Sequence, residues 1–173
     1  NPYLADFYGD MSQWSFHLQV FFLGHRAEQH LALARHPESA IADRSIYEDA
    51  HIFARALYQM GNMNERDYHA YLRLYNLVVK DLPKPDLLIH LEAPVSVLLA
   101  RIQRRARNIE TGISKEYLSL LERFYKEWIE AFDLCAVLTI RSDALDFVHE
   151  TEHLDIVVER IKEKLSGREE MVF

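Results

Sequence analysis

Glycine is scarce. The 173 residues contain five, and none falls in a Gly-x-x-x-x-Gly-Lys-[Ser/Thr] run, so these residues hold no glycine-rich phosphate cradle. A single cysteine, Cys135, excludes an intrachain disulfide. Its apolar neighbours Leu134, Ala136 and Val137 predict a buried structural thiol, which fits a reducing cytoplasmic location. No apolar run approaches the ~18–20 residues that span a bilayer. Asn1-Pro2-Tyr3-Leu4 has neither the basic nor the apolar region of a signal peptide, so no membrane partner is expected. Nor is there a basic excess. With 20 basic and 27 acidic side chains the net charge is −7, which argues against a nucleic acid polymer as partner. No Gly-x-Ser-x-Gly nucleophile motif occurs, and none of the nine histidines has metal-ligand spacing matched with a carboxylate on the same predicted face and at a strand end. The chain also lacks an initiator Met, and the expectation is that it begins partway along a longer one.

What is present suffices for a core. Apolar residues make up 49% and aromatic residues 12%, at a length suited to one globular domain. Residues 1–10 read as an irregular, aromatic-rich segment. Trp14, Leu18, Phe21 or Phe22, His25, Gln29 and Leu33 recur at helical spacing and predict a helix over 11–36, ended by Pro37. Ser39-Ala40-Ile41-Ala42 reads as a short buried strand leading to Asp43-Arg44-Ser45. A second helix carries Ile46, Ala50, Phe53, Ala54 and Leu57 to Gly61, and a third runs from Glu65 to Lys80 after an Asn64 cap. Residues 86–92 form an apolar run suited to a strand covered on both faces. Pro94 opens a helix to about Ala106, residues 107–113 are a loop, and a long helix follows from Ser114 to Phe132. Residues 136–140 predict a third strand and 155–165 a terminal helix. Strands separated by helices imply an α/β fold, helix-rich, with a parallel sheet flanked by helices. Three strands are few for so much helix.

Three clusters could carry chemistry. Ligands of open parallel sheets bind at the carboxyl ends of strands, which singles out Asp43-Arg44-Ser45. A carboxylate there can hold hydrated Mg2+ and the guanidinium can meet a phosphoryl oxygen; equally, Asp43 or Ser45 can cap the next helix. Arg101, Arg104, Arg105 and Arg107 crowd one helix end, suiting either phosphate oxygens or a solvated basic terminus favoured by the helix dipole. Gln19 and Arg26 lie two turns apart on one side of the first helix, and Asp49 and Phe53 share a side of the second. Together they offer donors, acceptors and a stacking plate for a planar heterocycle. The other reading is a buried Arg–Asp pair beside a core Phe.

The order and spacing of Trp14-Ser15-Phe16-His17-Leu18-Gln19, Asp43-Arg44-Ser45 with Tyr47 and Asp49-Ala50-His51-Ile52-Phe53, and Arg101 to Glu110 followed by Gly112-Ile113 and Tyr117-Leu118 resemble the deoxynucleoside kinases. The resemblance covers essentially the whole chain. It implies a P-loop kinase-like three-layer fold with an Arg-rich lid, in a single domain lacking its first strand, P-loop and first helix. It implies that Gln19, Arg26 and Asp49 read the base, Phe53 stacks on it, and Tyr8 and Glu110 hold the sugar 3′-hydroxyl. Arg44 would sit near the attacking 5′-hydroxyl and Asp43 would position Mg2+. Arg101, Arg105 and Arg107 match lid arginines that close on the donor phosphates of ATP, and Phe147 falls in the segment covering the donor adenine. Asp43, where many animal relatives have Glu, points to a bacterial source. The family's phosphate loop and its general base, a Glu before the position of Asn1, are not among these residues, and a polypeptide without them is expected to be inactive.

The implied reaction is phosphoryl transfer from ATP to the 5′-hydroxyl of a deoxynucleoside. The Arg26–Asp49 combination favours a purine deoxynucleoside, with deoxycytidine next. The rivals are a thymidylate-type monophosphate kinase and a non-catalytic kinase-like structural subunit. Apolar surface on helices 11–36 and 65–81 predicts a homodimer joined through them, as in the resembled family.

Overall fold

Asp10 starts the longest helix: its Oδ1 accepts hydrogen bonds from the Gln13 amide at 3.0 Å and the Ser12 hydroxyl at 2.8 Å, tying down an amide that the first turn leaves unpaired. In the computed structural model, which describes residues 1–105, 113–143, 145 and 150–166, this helix, α2, spans Met11–Ala34 and buries Ser15, Leu18, Gln19 and Leu23 along one stripe. It belongs to the first of two compact units, Asn1–Pro83 with Arg123–Trp128. A short helix, α1 (Leu4–Gly9), precedes it, where an irregular segment was expected. Six residues are too few to show a periodicity, and such a helix owes its stability to packing. Phe7 supplies that packing, clustering with Leu18, Leu57 and Met63.

The strand expected at residues 39–42 is absent: the segment is irregular and exposed, with Ile41 83% accessible. A strand buried on both faces needs neighbours to take its backbone hydrogen bonds. Among the described residues the two strands pair only with each other, and one large apolar side chain in four gives this segment little to bury.

After Ser45 the chain is helical without a break through α3 (Ile46–Glu48), a π-helical segment (Asp49–Ala54) and α4 (Arg55–Gln59). Ile46, Ala50, Ile52, Ala54, Ala56 and Leu57 fill the interior. Gly61, at φ +76°, adopts the left-handed turn that glycine tolerates. The chain then enters α5 (Glu65–Val79), capped as expected by Asn64, whose Oδ1 accepts from the Asp67 amide at 2.9 Å. Tyr71 and Tyr75 are the buried residues of α5.

The second unit comprises Lys84–Glu122 and the chain from Ile129 onward. β1 (Leu87–Glu92) and β2 (Ala136–Arg141) run parallel, in register from Leu87 opposite Ala136 to Glu92 opposite Arg141. Between them in sequence come α6 (Val95–Arg105) and α7 (Lys115–Ala131), whose Arg123–Trp128 stretch counts with the first unit; α8 (Thr151–Ser166) follows β2. The described sheet thus has two strands rather than three. β1 is half-buried rather than fully covered, with Leu91 52% exposed, and Cys135 is half-buried too. No described helix is long and apolar enough to cross a membrane.

Phe124 is fully buried in the first unit, with the Arg55 guanidinium 4.0 Å from its ring centroid and Arg55 in turn 2.7 Å from Glu127. Phe124→Ala removes the ring that these groups surround. The expected loss is about 3–5 kcal/mol of stability, read as a lower urea midpoint.

Candidate functional site

Arg26 and Asp49 meet in a nearly dry setting. Arg26 lies on α2 two turns beyond Gln19, and Asp49 opens the π-helical segment. Nε of Arg26 is 2.7 Å from Oδ2 of Asp49, with side chains 14% and 4% exposed. The contact is an ion pair whose N–H misses the line to the oxygen, so neither atom completes a hydrogen bond. Burial pushes the Asp49 carboxyl up to about 6, against the opposing charge of Arg26. At neutral pH the group is still ionised, at the cost of desolvation.

Gln19 is 4% exposed, and its Oε1 has no hydrogen-bond partner. A buried amide oxygen left unpaired costs about 1–3 kcal/mol. A side chain on the Arg26 face of α2 that retains such an acceptor is suited to a ligand bearing a donor. Phe53, half-buried, lies four residues beyond Asp49 in a segment whose wider turn is a common mark of functional sites.

Asp43-Arg44-Ser45 is shaped by backbone geometry. Ser45 is the cap residue of α3, and its amide donates to Oε2 of Glu48 at 2.6 Å; the cap role open to Asp43 is therefore taken by Ser45. Asp43 stays exposed. One exposed carboxylate fits how Mg2+ is commonly bound, through a single protein oxygen with waters and phosphate supplying the rest. Arg44 has φ +66°, a left-handed conformation that costs a non-glycine residue about 1–2 kcal/mol. Its guanidinium sits 4.8 Å from the Phe53 ring centroid. Two clusters read separately in the sequence are thereby joined: base-reading candidates and the Asp-Arg-Ser turn share Phe53.

Tyr8 is 47% exposed, edge-on to Phe7. In the second unit Arg101 donates from Nη1 to Oγ of Ser142 at 3.1 Å and from Nη2 to its carbonyl at 2.6 Å, while Ser142 is itself bonded to the Glu92 carbonyl. Arg101 thus ties α6 to the ends of both strands. Arg105 is exposed at the end of α6. Arg107, Glu110 and Phe147 lie outside the described residues. Among the described residues no group of three or more His, Cys, Asp or Glu side chains is placed to hold a metal ion.

The deoxynucleoside kinase family model matches residues 1–166. The chain belongs to the deoxynucleoside kinase family. This kinase is 36% identical over 163 residues to a deoxyadenosine/deoxycytidine kinase of Bacillus subtilis, covering 93% of this chain and 75% of the relative. To a deoxyguanosine kinase of the same organism it is 32% identical over 167 residues, covering 94% and 80%. A solved structure of deoxyadenosine kinase from M. mycoides, with dCMP and a flexible dCDP bound as products, superposes with a TM-score of 0.81 at 28% identity, over 94% of this chain and 81% of that one. The same enzyme with dATP bound gives 0.78. The fold of this kinase is accordingly the helix-rich α/β fold of the family, and the protein is a phosphotransferase.

Sequence reasoning missed Tyr71. It is fully buried on α5, its hydroxyl has no hydrogen-bond partner, and burial followed by the nearby Asp49 charge makes it still harder to ionise. An aromatic residue at helical spacing reads as core, and nothing in the sequence marks its hydroxyl.

Because the folded-state value for Asp49 lies above its ordinary 3.8, the native state holds this proton more tightly than the unfolded chain does. Stability from that proton is full below about pH 4 and is lost as pH rises to about 6. Relative to Asp49→Asn, which cannot titrate, the parent should therefore lose stability across that window, by roughly 3 kcal/mol for a shift of about two units. Paired denaturation curves at pH 4, 5, 6 and 7 measure it.

Proposed function

We propose that this kinase transfers the γ-phosphoryl group of ATP to the 5′-hydroxyl of a deoxynucleoside, with purine deoxynucleosides preferred and deoxycytidine next. The observation that supports the reading is the buried set of Gln19, Arg26 and Asp49, which keeps hydrogen-bonding capacity unspent. Adenine, guanine and cytosine each present donors and acceptors side by side on one edge. An ionised Asp49 accepts from an exocyclic amine, Gln19 offers both functions, and Phe53 gives a ring for the base to lie against. The similarity to relatives named for deoxyadenosine, deoxycytidine and deoxyguanosine agrees with this range.

In the same reading, Arg44 serves the 5′ end of the nucleoside, and Tyr8 and Glu110 hold the 3′-hydroxyl. Asp43 holds Mg2+, which would neutralise charge on the donor phosphates. Arg105 and Arg107 close on those phosphates, Arg101 contributes once released from Ser142, and Phe147 lies against the donor adenine. Residues 1–173 act as one kinase domain in the cytoplasm. A monophosphate kinase would need arginine free to grip an acceptor phosphate, and Arg26 is engaged by Asp49 instead.

We further propose a homodimer through α2 and α5. Leu74 and Leu77 of α5 are 42% and 71% exposed, an apolar strip that water covers poorly. Leu77→Glu should convert a dimer to monomers in sedimentation at micromolar concentration; a parent that is already monomeric there counts against it.

The decisive test pairs calorimetric binding of deoxyadenosine, deoxyguanosine, deoxycytidine and thymidine with phosphorylation assays on the complete polypeptide in ATP and Mg2+. Gln19→Ala should weaken purine deoxynucleoside binding at least about tenfold, the scale of one or two lost hydrogen bonds. Equal affinity for all four nucleosides, unchanged in that variant, would remove the reading.

A further inference from the structure

Arg44 holds its left-handed turn with little help from the residues before it, since residues 39–43 are exposed and irregular. Support comes from the other side. The amide of Ser45, the next residue, donates to Oε2 of Glu48 at 2.6 Å. The other carboxylate oxygen, Oε1, accepts from the hydroxyl of Tyr125 at 2.8 Å, across 77 residues of sequence. The half-buried Tyr125 ring meets Trp128 edge-on at 6.2 Å, and Trp128 stacks on His51 at 6.4 Å. One carboxylate thus spans a ring wedged in the interior and the backbone amide that follows Arg44. Beyond that amide, the Arg44 guanidinium lies across the Phe53 ring.

We infer that Glu48 and Tyr125 are positioning residues for Arg44: the carboxylate bridges the Tyr125 hydroxyl to the Ser45 amide and thereby fixes the turn that aims the guanidinium over Phe53. The functional consequence rests on the reading of Arg44 as the group serving the nucleoside 5′ end. A carboxylate suits the bridge because both partners are donors and both its oxygens accept. In Glu48→Gln one end becomes an NH2 group facing a donor, so one of the two bonds must break or turn round. In Tyr125→Phe the packing ring remains and only the hydroxyl is lost. Tyr125→Phe leaves Gln19, Arg26 and Asp49 in place, so the grip on the base should survive there, whereas Glu48→Gln also removes a charge that acts on Asp49.

Two readouts test this on the complete polypeptide. The first is the Nε–H resonance of Arg44 in the parent, shifted by the Phe53 ring and assigned by its return to an ordinary position in Phe53→Leu. It should move at least half of that way back in Tyr125→Phe and in Glu48→Gln. An unmoved resonance in both folded variants overturns the inference. The second is steady-state kinetics. Tyr125→Phe should lower kcat about tenfold while the deoxynucleoside KM changes less than about twofold, the pattern of an interaction made in the transition state. A merely structural bond would lower the melting temperature and leave kcat intact. If Arg44→Ala lowers kcat and Tyr125→Phe does not, the coupling to reaction is overturned. If Arg44→Ala itself leaves kcat unchanged, the assignment of Arg44 fails, and the resonance alone decides whether Glu48 and Tyr125 position it.

Discussion

The first unit is organised around an ion pair that water hardly reaches. Arg26 and Asp49 lie on different elements, 2.7 Å apart, with Asp49 4% exposed. Removing two charges from water costs several kcal/mol each, and their attraction recovers that only when geometry and further hydrogen bonds are good. Here Nε is poorly aligned on Oδ2, and the Gln19 oxygen, two turns back along α2, is unbonded. An apolar pair of equal size would serve stability as well or better. In the function proposed, the pair is a demand on a third party, whose polar edge completes what the protein leaves unfinished. The packing around it agrees: α2 turns its buried stripe toward this point, and Tyr71 places another unbonded hydroxyl in the interior.

Much of this was legible along the chain because it depends on periodicity or local chemistry. The extent of α2, the Asn64 cap, the starts of α6 after Pro94 and of α7 after Ser114 and both observed strands are written in short-range pattern; the side chains that α2 buries, Ser15, Leu18, Gln19 and Leu23, share only Leu18 with the positions expected. The pairing of Arg26 with Asp49 was legible as one of two readings, and the structure shows that buried pair. What escaped was non-local. Ser39 to Ala42 reads as a strand between helices, but among the described residues no neighbour pairs with it. Phe7 makes α1 possible from a cluster that includes Leu57 and Met63. Ser45-x-x-Glu48 is a helix-start spacing, yet the same carboxylate also binds Tyr125, and no local rule connects residues 77 apart.

Arg101 illustrates how one run of like charges can conceal different surroundings. Four arginines within seven residues read as a single cationic patch. In the structure Arg101 is absorbed by Ser142 at the strand ends, whereas Arg105 reaches the exposed end of α6. Charge density in sequence does not separate a guanidinium that ties secondary structure together from one that stands at the exposed end of a helix; position along the helix does.

The π-helical segment from Asp49 to Ala54 has an evolutionary corollary. Each residue of an α-helix turns the chain by about 100°, so a π turn represents a register offset held between Asp49 and Arg55. A π turn takes up more residues than an α turn in the same sweep of the axis, so Asp49 stays on Arg26 and Arg55 stays on Phe124 although the stretch between them is wound more widely. A single-residue insertion into this helix is thereby housed without moving the ion pairs that flank it, Arg26 with Asp49 and Arg55 with Glu127.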